Sequence, residues 1–222
     1  MKNYSGENTF CLQQGFVFLI LLVAMLLFSG MIPVVGQSDL CLYASFDSLP
    51  HADLAGGDKA SIAVGISYTE GRHGKAVVIS QGPESRGTAN SLVNFSSRDN
   101  LFHQEGSLEM WVKPVDWGGD DDCDLIFFDN VIGEQDTEGI IRLAKVNTSL
   151  QFFYGKLHGN MVTAVADVNA WKSGEWYHVA ATWQKGGSAK LYIDGELKAN
   201  LTIPGRLIPG GLEPRFRIGS HY

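Results

Sequence analysis

Residues 176–200, which read WYHVAATWQKGGSAKLYIDGELKAN, contain the strongest indication of the fold. Together with Glu175 and Leu201 at their ends, they hold three short runs rich in apolar and β-branched residues, at 175–184, 189–194 and 196–201. The dipeptide Asp194-Gly195 between the last two runs suits a tight type I′ turn. We therefore predict three consecutive antiparallel strands in this part of the chain.

The same pattern extends towards both ends of the chain, because short apolar or alternating runs are separated by Gly, Asn, Asp and Pro. No run of ten or more residues has the apolar spacing of a helix, so the fold class is predicted to be all-β. Asn147-Thr148 predicts a second hairpin. About a dozen short strands at this spacing indicate a sandwich or a barrel. The further predicted strands are 40–46, 75–80, 91–95, 106–114, 124–129, 139–146, 149–155, 161–167 and 215–219.

Length and charge limit the domain count and the partners. The chain has 222 residues, which is enough for one or at most two domains. It contains no internal repeat or linker, so residues 37–222 are interpreted as one domain. The net charge is −7, and this argues against nucleic acid as a partner, because binding to phosphates needs a basic face.

Residues 1–36 are predicted to be a signal peptide. An unbroken apolar run, FVFLILLVAMLLF, spans residues 16–28, and the small residues Val34 and Gly36 follow it. Cleavage after Gly36 is expected, with the domain secreted or otherwise outside the cytoplasm. The alternative is an uncleaved membrane anchor, because residues 15–35 approach the ~20 residues that span a bilayer. In that alternative the chain contacts the membrane only through this segment.

The sequence does not decide whether the two cysteines of the predicted domain form a disulfide. An oxidising compartment permits a disulfide between Cys41 and Cys123, whereas the sequence is equally compatible with two buried thiols.

Several motifs resemble one family. WYHVAATW with LYIDG, GSLEMWVKP at 106–114, and LYASFD at 42–47 followed by GRHGKAVV at 71–78 are similar to the signatures of laminin-G-like, concanavalin A-like jelly rolls. The resemblance covers roughly residues 40–219 and implies a two-sheet antiparallel jelly-roll sandwich. Members of the family bind glycans, proteins or calcium. The family usually continues after F-x-I-G with a strand of the form I-D-E-V-x-I-Y, which pairs with the first strand. Here SHY follows that motif, so the sandwich is expected to lack its closing C-terminal strand.

One acidic stretch invites comparison with glycoside hydrolases. GEQDTEG at 133–139 places three carboxylates at alternate positions, as on a catalytic strand. The intervening residues Gln135 and Thr137 cannot fill a sandwich core, so the stretch is predicted to be a loop. A loop loses the ~5–5.5 Å carboxylate pair of a retaining hydrolase, and the protein is therefore expected not to be an enzyme.

A second acidic stretch, WGGDDDCD at 117–124, is the candidate metal site. Asp120, Asp122 and Asp124 lie at alternate positions, and calcium prefers several oxygen ligands from one flexible loop. Ca²⁺ is therefore the candidate cofactor. The alternative is a solvated acidic loop without a metal.

Two loop tryptophans are the candidate ligand-binding residues. Trp117 precedes two glycines, which leave it free to present its indole to solvent, and Trp171 lies in a second polar loop. An indole stacks well on the apolar face of a sugar. The function predicted from the sequence is an extracellular, non-catalytic binding module for carbohydrate, with or without calcium. The partner is then a glycan or an extracellular protein. The alternatives are a structural or adhesion domain without a small ligand and a glycoside hydrolase.

Overall fold

The computed structural model describes residues 7–11, 40–80, 91–131, 139–156, 161–205 and 211–220. These residues form sixteen strands, and no helix occurs among them. The strands are β1 (Glu7–Cys11), β2 (Leu42–Tyr43), β3 (Leu54–Ala55), β4 (Ser61–Val64), β5 (Ser67–Glu70), β6 (Lys75–Ser80), β7 (Leu92–Ser96), β8 (Glu105–Val115), β9 (Leu125–Val131), β10 (Ile140–Val146), β11 (Ser149–Gly155), β12 (Met161–Asp167), β13 (Tyr177–Gln184), β14 (Ser188–Ile193), β15 (Glu196–Thr202) and β16 (Arg215–Ser220).

The strands form two large antiparallel sheets. The first, called the β8 sheet, has the order β15-β14-β13-β8-β1-β6-β5. The second, called the β9 sheet, has the order β12-β11-β10-β9-β16-β7-β4. A small third sheet pairs β2 with β3. The structure confirms the all-β, two-sheet jelly-roll sandwich expected from the sequence.

Period-2 alternation in the strands builds the core between the sheets. In β8, Met110 and Val112 are buried, whereas Trp111 between them is half-buried on the outer face. Trp183 of the β8 sheet and Phe152 of the β9 sheet meet with ring centroids 5.8 Å apart. Each side chain of this kind stabilises the fold by roughly 1.5–3 kcal/mol relative to exposure.

The predicted hairpins are confirmed. Asp194 and Gly195 have φ values of 51° and 80°, as a type I′ turn between β14 and β15 requires. Asn147 has a φ of 50° in the hairpin that joins β10 to β11.

The prediction is wrong at the start of the domain. The strand expected at 40–46 is reduced to Leu42–Tyr43, which pairs with β3 outside both large sheets. Phe46, with a φ of 60°, breaks the extended conformation. The strands β3, β4 and β5 were not predicted, because they are short and carry many exposed positions.

The strand predicted at 215–219 is confirmed as β16, and the N-terminal segment forms a strand, β1, that was not predicted. β16 pairs with β7 and β9 inside the β9 sheet. In the β8 sheet, Glu7–Cys11 stands between β6 and β8. The apolar run 16–28 and the expected cleavage point lie outside the described residues, so the signal peptide stays a prediction. No helix of the described residues is long and apolar enough to cross a membrane.

The buried hydroxyl group of Tyr154 should make the protein less stable at alkaline pH. Its hydroxyl donates to the carbonyl of His103 at 2.6 Å, and burial raises the pKa of Tyr154 from about 10 to about 12. Between these pH values the unfolded chain releases this proton and the folded chain keeps it, so stability falls as pH rises. From pH 9 upward, the free energy of unfolding measured with denaturant should therefore fall more steeply with pH for wild type than for Tyr154→Phe. An equal fall in the two proteins would contradict the raised pKa of Tyr154.

Candidate functional site

Two loops meet at one end of the sandwich and bring the two predicted tryptophans together. The amide of Gly119 donates to the carbonyl of Trp171 at 2.8 Å. A Cβ at Gly119 would lie 1.6 Å from the carbonyl oxygen of Val168, so this close approach requires glycine. The rings of Trp117 and Trp171 have centroids 6.4 Å apart.

The expectation that Trp117 presents its indole to solvent is wrong. Trp117 and Trp171 are only 3% and 5% exposed. The ring of Trp117 lies 6.4 Å from that of Phe127, and Trp171 stacks on Tyr177 with centroids 4.5 Å apart and planes 8° apart. Both indoles join the loops to the core. Their assignment as ligand-binding residues stays a prediction, and the geometry favours a packing role.

Lys145 is a residue that the sequence analysis missed. It is fully buried, and its ammonium group donates to the carbonyl of Asp121 at 2.6 Å and also to the carbonyl of Asn147. Its Nζ lies 5.5 Å from the centroid of the Trp117 ring and 3.5 Å from Sγ of Cys123. A buried charge needs such partners, because their dipoles replace the lost hydration. The ammonium group of Lys145 on β10 is therefore a cation that the protein itself places against the acidic loop.

The aspartates of the loop do not converge. Asp121 accepts a hydrogen bond from the amide of Gly118, and Asp124 accepts one from the amide of Asn147. Asp120 and Asp122 are exposed. Within the described residues, no group of three or more His, Cys, Asp or Glu side chains could hold a metal ion. The calcium site at Asp120, Asp122 and Asp124 stays a prediction.

The two cysteines of the predicted domain are thiols in this structure. Cys41 and Cys123 are half-buried and form no disulfide. Burial raises the pKa of the Cys123 thiol above its ordinary value, and the nearby Lys145 ammonium opposes that rise. The structure therefore contains two separate thiols, and both are half-buried rather than buried.

A depression lies on the outer face of the β9 sheet, beside the acidic loop. Its volume is about 190 Å³. Asp124, at the end of the loop, is the one predicted site residue that lines it. The other lining residues used below are Ile126, Arg142, Ala144, Val146 and Phe153.

A buried ion pair holds the guanidinium group of the depression. Nε of Arg142 donates to Oδ1 of Asp129 at 2.8 Å, and the two side chains are only 14% and 3% exposed. The pair joins register partners on β10 and β9. Charge-assisted hydrogen bonds of this kind are strong and directional, so Asp129 acts as a positioning residue for Arg142. This pair was not predictable from the sequence, since only the register of two strands brings its members together.

The two antiparallel sheets define a jelly-roll module. Residues 86–222 match the family Laminin_G_3, described as the concanavalin A-like lectin/glucanases superfamily. The chain belongs to this family. No curated protein sequence matches the chain.

Solved structures share the fold at low sequence identity. The botulinum neurotoxin serotype D binding domain is 16% identical, with 76% of this chain and 40% of that chain covered and a TM-score of 0.58. The binding domain of botulinum neurotoxin DC in complex with rat synaptotagmin II is 13% identical, with 73% and 39% covered and a TM-score of 0.58. Mouse laminin alpha1 chain domains LG4-5 are 12% identical, with 58% and 32% covered and a TM-score of 0.46. This chain therefore spans about two fifths or less of the length of these structures. The likeness to the two botulinum neurotoxin domains shows the fold alone.

Proposed function

We propose that the chain is an extracellular, non-catalytic binding module that holds carbohydrate in the depression on the outer face of the β9 sheet. The observation that carries the proposal is the composition of this depression. Apolar side chains and the ring of Phe153 lie beside an Arg142 that Asp129 holds in place. Membership of a lectin-containing superfamily supports a binding role.

The chemistry of the depression suits a sugar ring. One face of a pyranose carries C–H groups, which pack on an aromatic ring, and its edge carries hydroxyl groups. Arg142 can donate to those hydroxyls, and the carboxylate of Asp124 can accept from them. The volume of about 190 Å³ is smaller than the ~300–1,000 Å³ of sites for drug-sized ligands. The depression therefore admits one ring, while the rest of a glycan extends over the surface.

The same residues argue against catalysis. Glycoside hydrolysis generally uses two carboxyl groups that flank the scissile bond. Among the described residues that line the depression, Asp124 is the one carboxylate. Asp129 is buried and paired with Arg142. The acidic stretch at 134–138, predicted to be a loop, lies outside the described residues.

Calcium is not required in this proposal. Lys145 already places a positive charge against one carbonyl of the acidic loop, that of Asp121, and against the carbonyl of Asn147 in the neighbouring hairpin. An extracellular setting follows from the predicted leader and agrees with the family. The second candidate function is adhesion to an extracellular protein, and it applies if no glycan binds.

A glycan array on the full chain, with two variants, tests the proposal. Phe153→Ala should weaken retention of the best glycan about tenfold or more, equivalent to ~1.4 kcal/mol of lost stacking. Arg142→Lys should also weaken it, because an ammonium group cannot reproduce the planar fork of a guanidinium group. Val165→Ala is the matched control, since Val165 is 49% exposed on the neighbouring strand β12 and does not line the depression. Equal retention by all three variants would exclude the depression as the site.

A further inference from the structure

β16 places two arginines on the outer face of the β9 sheet, which is the face that carries the depression. Phe216 and Ile218 are buried in the core, so the alternate residues Arg215 and Arg217 point outward. Arg215 is exposed, whereas Arg217 is half-buried. A half-buried charge has lost part of its hydration, so a partner of opposite charge stabilises it.

The strand register places Arg217 in line with the ion pair beside the depression. Arg217 is the register partner of Asp129 on β9, and Asp129 is the register partner of Arg142 on β10. The two arginines are therefore separated by two strand spacings, or ~9.6 Å between their Cα atoms. Because Arg142 lines the depression, the long side chain of Arg217 is within reach of a group that extends from the depression towards β16.

Among the described residues, Arg217 has no ion-pair partner. Asp129 bonds to Arg142 and lies beyond ion-pair distance of Arg217. Asn94, the register partner of Arg217 on β7, is uncharged, and its side-chain oxygen is buried without a hydrogen bond. The outward positions of β7, β16, β9 and β10 carry three arginines, Arg142, Arg215 and Arg217, and one carboxylate, that of Asp129. This row therefore has a surplus of positive charge, although the net charge of the chain is −7.

We propose that the glycan in the depression is acidic, and that Arg217 binds a carboxylate or sulfate group on the part of the glycan that extends towards β16. This inference rests on the proposed carbohydrate function and adds the class of glycan to it. A guanidinium group presents its N–H donors as a planar fork, which matches two oxygens of either anion. The anion continues an alternating row of charges that begins with Arg142 and Asp129. The carboxylate of Asp124 bonds to the amide of Asn147, beyond the end of β10, so it lies away from this anion.

The test measures the affinity of the full chain for four immobilised polymers, which are polygalacturonate, its methyl ester, dextran sulfate and dextran. Each neutral polymer has the sugar chain of its acidic counterpart without the charge. Wild type should bind at least one acidic polymer about tenfold or more tightly than its neutral counterpart. The preferred pair distinguishes a carboxylate from a sulfate group. Arg217→Gln should lose this preference and keep the melting temperature of wild type, since it removes no ion pair of the described residues.

The matched control is Arg98→Gln, which removes the same charge from a side chain that is 92% exposed and pairs with Asp99. It should bind each polymer as wild type does. An equal loss in the two variants would overturn the proposal, because net charge alone would then explain the preference, and so would a preference that survives Arg217→Gln. Equal affinity of wild type for acidic and neutral polymers would overturn the acidic class and leave the carbohydrate proposal standing. Absence of binding to all four polymers would also overturn this inference, whereas the glycan array with Phe153→Ala tests the carbohydrate proposal separately.

Discussion

Trp117→Ala should lower the free energy of unfolding by about 3–5 kcal/mol, the range for replacing a large buried aromatic residue with alanine. The indole is 3% exposed and lies among the rings of Phe127 and Trp171 and the ammonium group of Lys145. Removing it leaves a cavity that the loop cannot close, since Gly119 already holds the loop against Val168. Chemical denaturation, monitored by circular dichroism, measures the loss.

The matched control for this prediction is Phe102→Ala. Phe102 is an aromatic residue that is 51% exposed, and its carbonyl oxygen, which accepts a hydrogen bond from Trp183, remains in the variant. Its replacement should cost less than about 1 kcal/mol, as exposed substitutions usually do. If Trp117→Ala is as stable as this control and loses glycan retention, Trp117 is a solvent-facing sugar platform and the packing role is wrong.

Lys145→Ala should destabilise the protein by about 3 kcal/mol. The substitution leaves the carbonyl oxygens of Asp121 and Asn147 without the ammonium group, at ~1–3 kcal/mol for each buried group left unsatisfied. The variant no longer has to bury a charge, and this gain in free energy offsets part of the cost. The exposed Lys172→Ala is the control and should stay within about 0.5 kcal/mol of wild type. A loss no larger than that of the control would contradict the role of Lys145 as an internal cation.

The position of Lys145 leads us to expect that calcium does not stabilise the protein. A calcium ion bound only to the native state at a hundredfold excess over its Kd would add about 2.7 kcal/mol, which is several degrees in Tm for a domain of this size. Because the ammonium group of Lys145 already bonds to the carbonyls of Asp121 and Asn147 beside the aspartates, wild type should melt at the same temperature in millimolar calcium and in chelator. A rise of several degrees that Asp120→Asn and Asp122→Asn abolish would restore the calcium site.

Most strands were predictable because the local sequence of each shows apolar alternation or a bounding turn. Alternation in 106–114 and the Asp194-Gly195 turn are local features, and burial of every second residue follows from them. The short strands β4 and β5 gave little signal, because edge strands bury few side chains.

The site was less predictable, because long-range contacts build it. The Gly-rich loop suggested an exposed Trp117, but contact with the 168–171 loop, about fifty residues later, buries the ring. Asp121 and Lys145 are 24 residues apart, and Asp129 and Arg142 are 13 apart. Nothing in either local pattern specifies such partners.

Backbone amide chemical shifts, recorded with the best glycan from the array, will show whether the ligand binds the depression beside Arg142 and Phe153. Binding there should cause saturable shifts concentrated at Ile126, Arg142, Ala144 and Phe153, and little change at Trp117 and Trp171. Saturable shifts centred on 117–124 and 168–173, with the depression unaffected, would contradict binding at the depression.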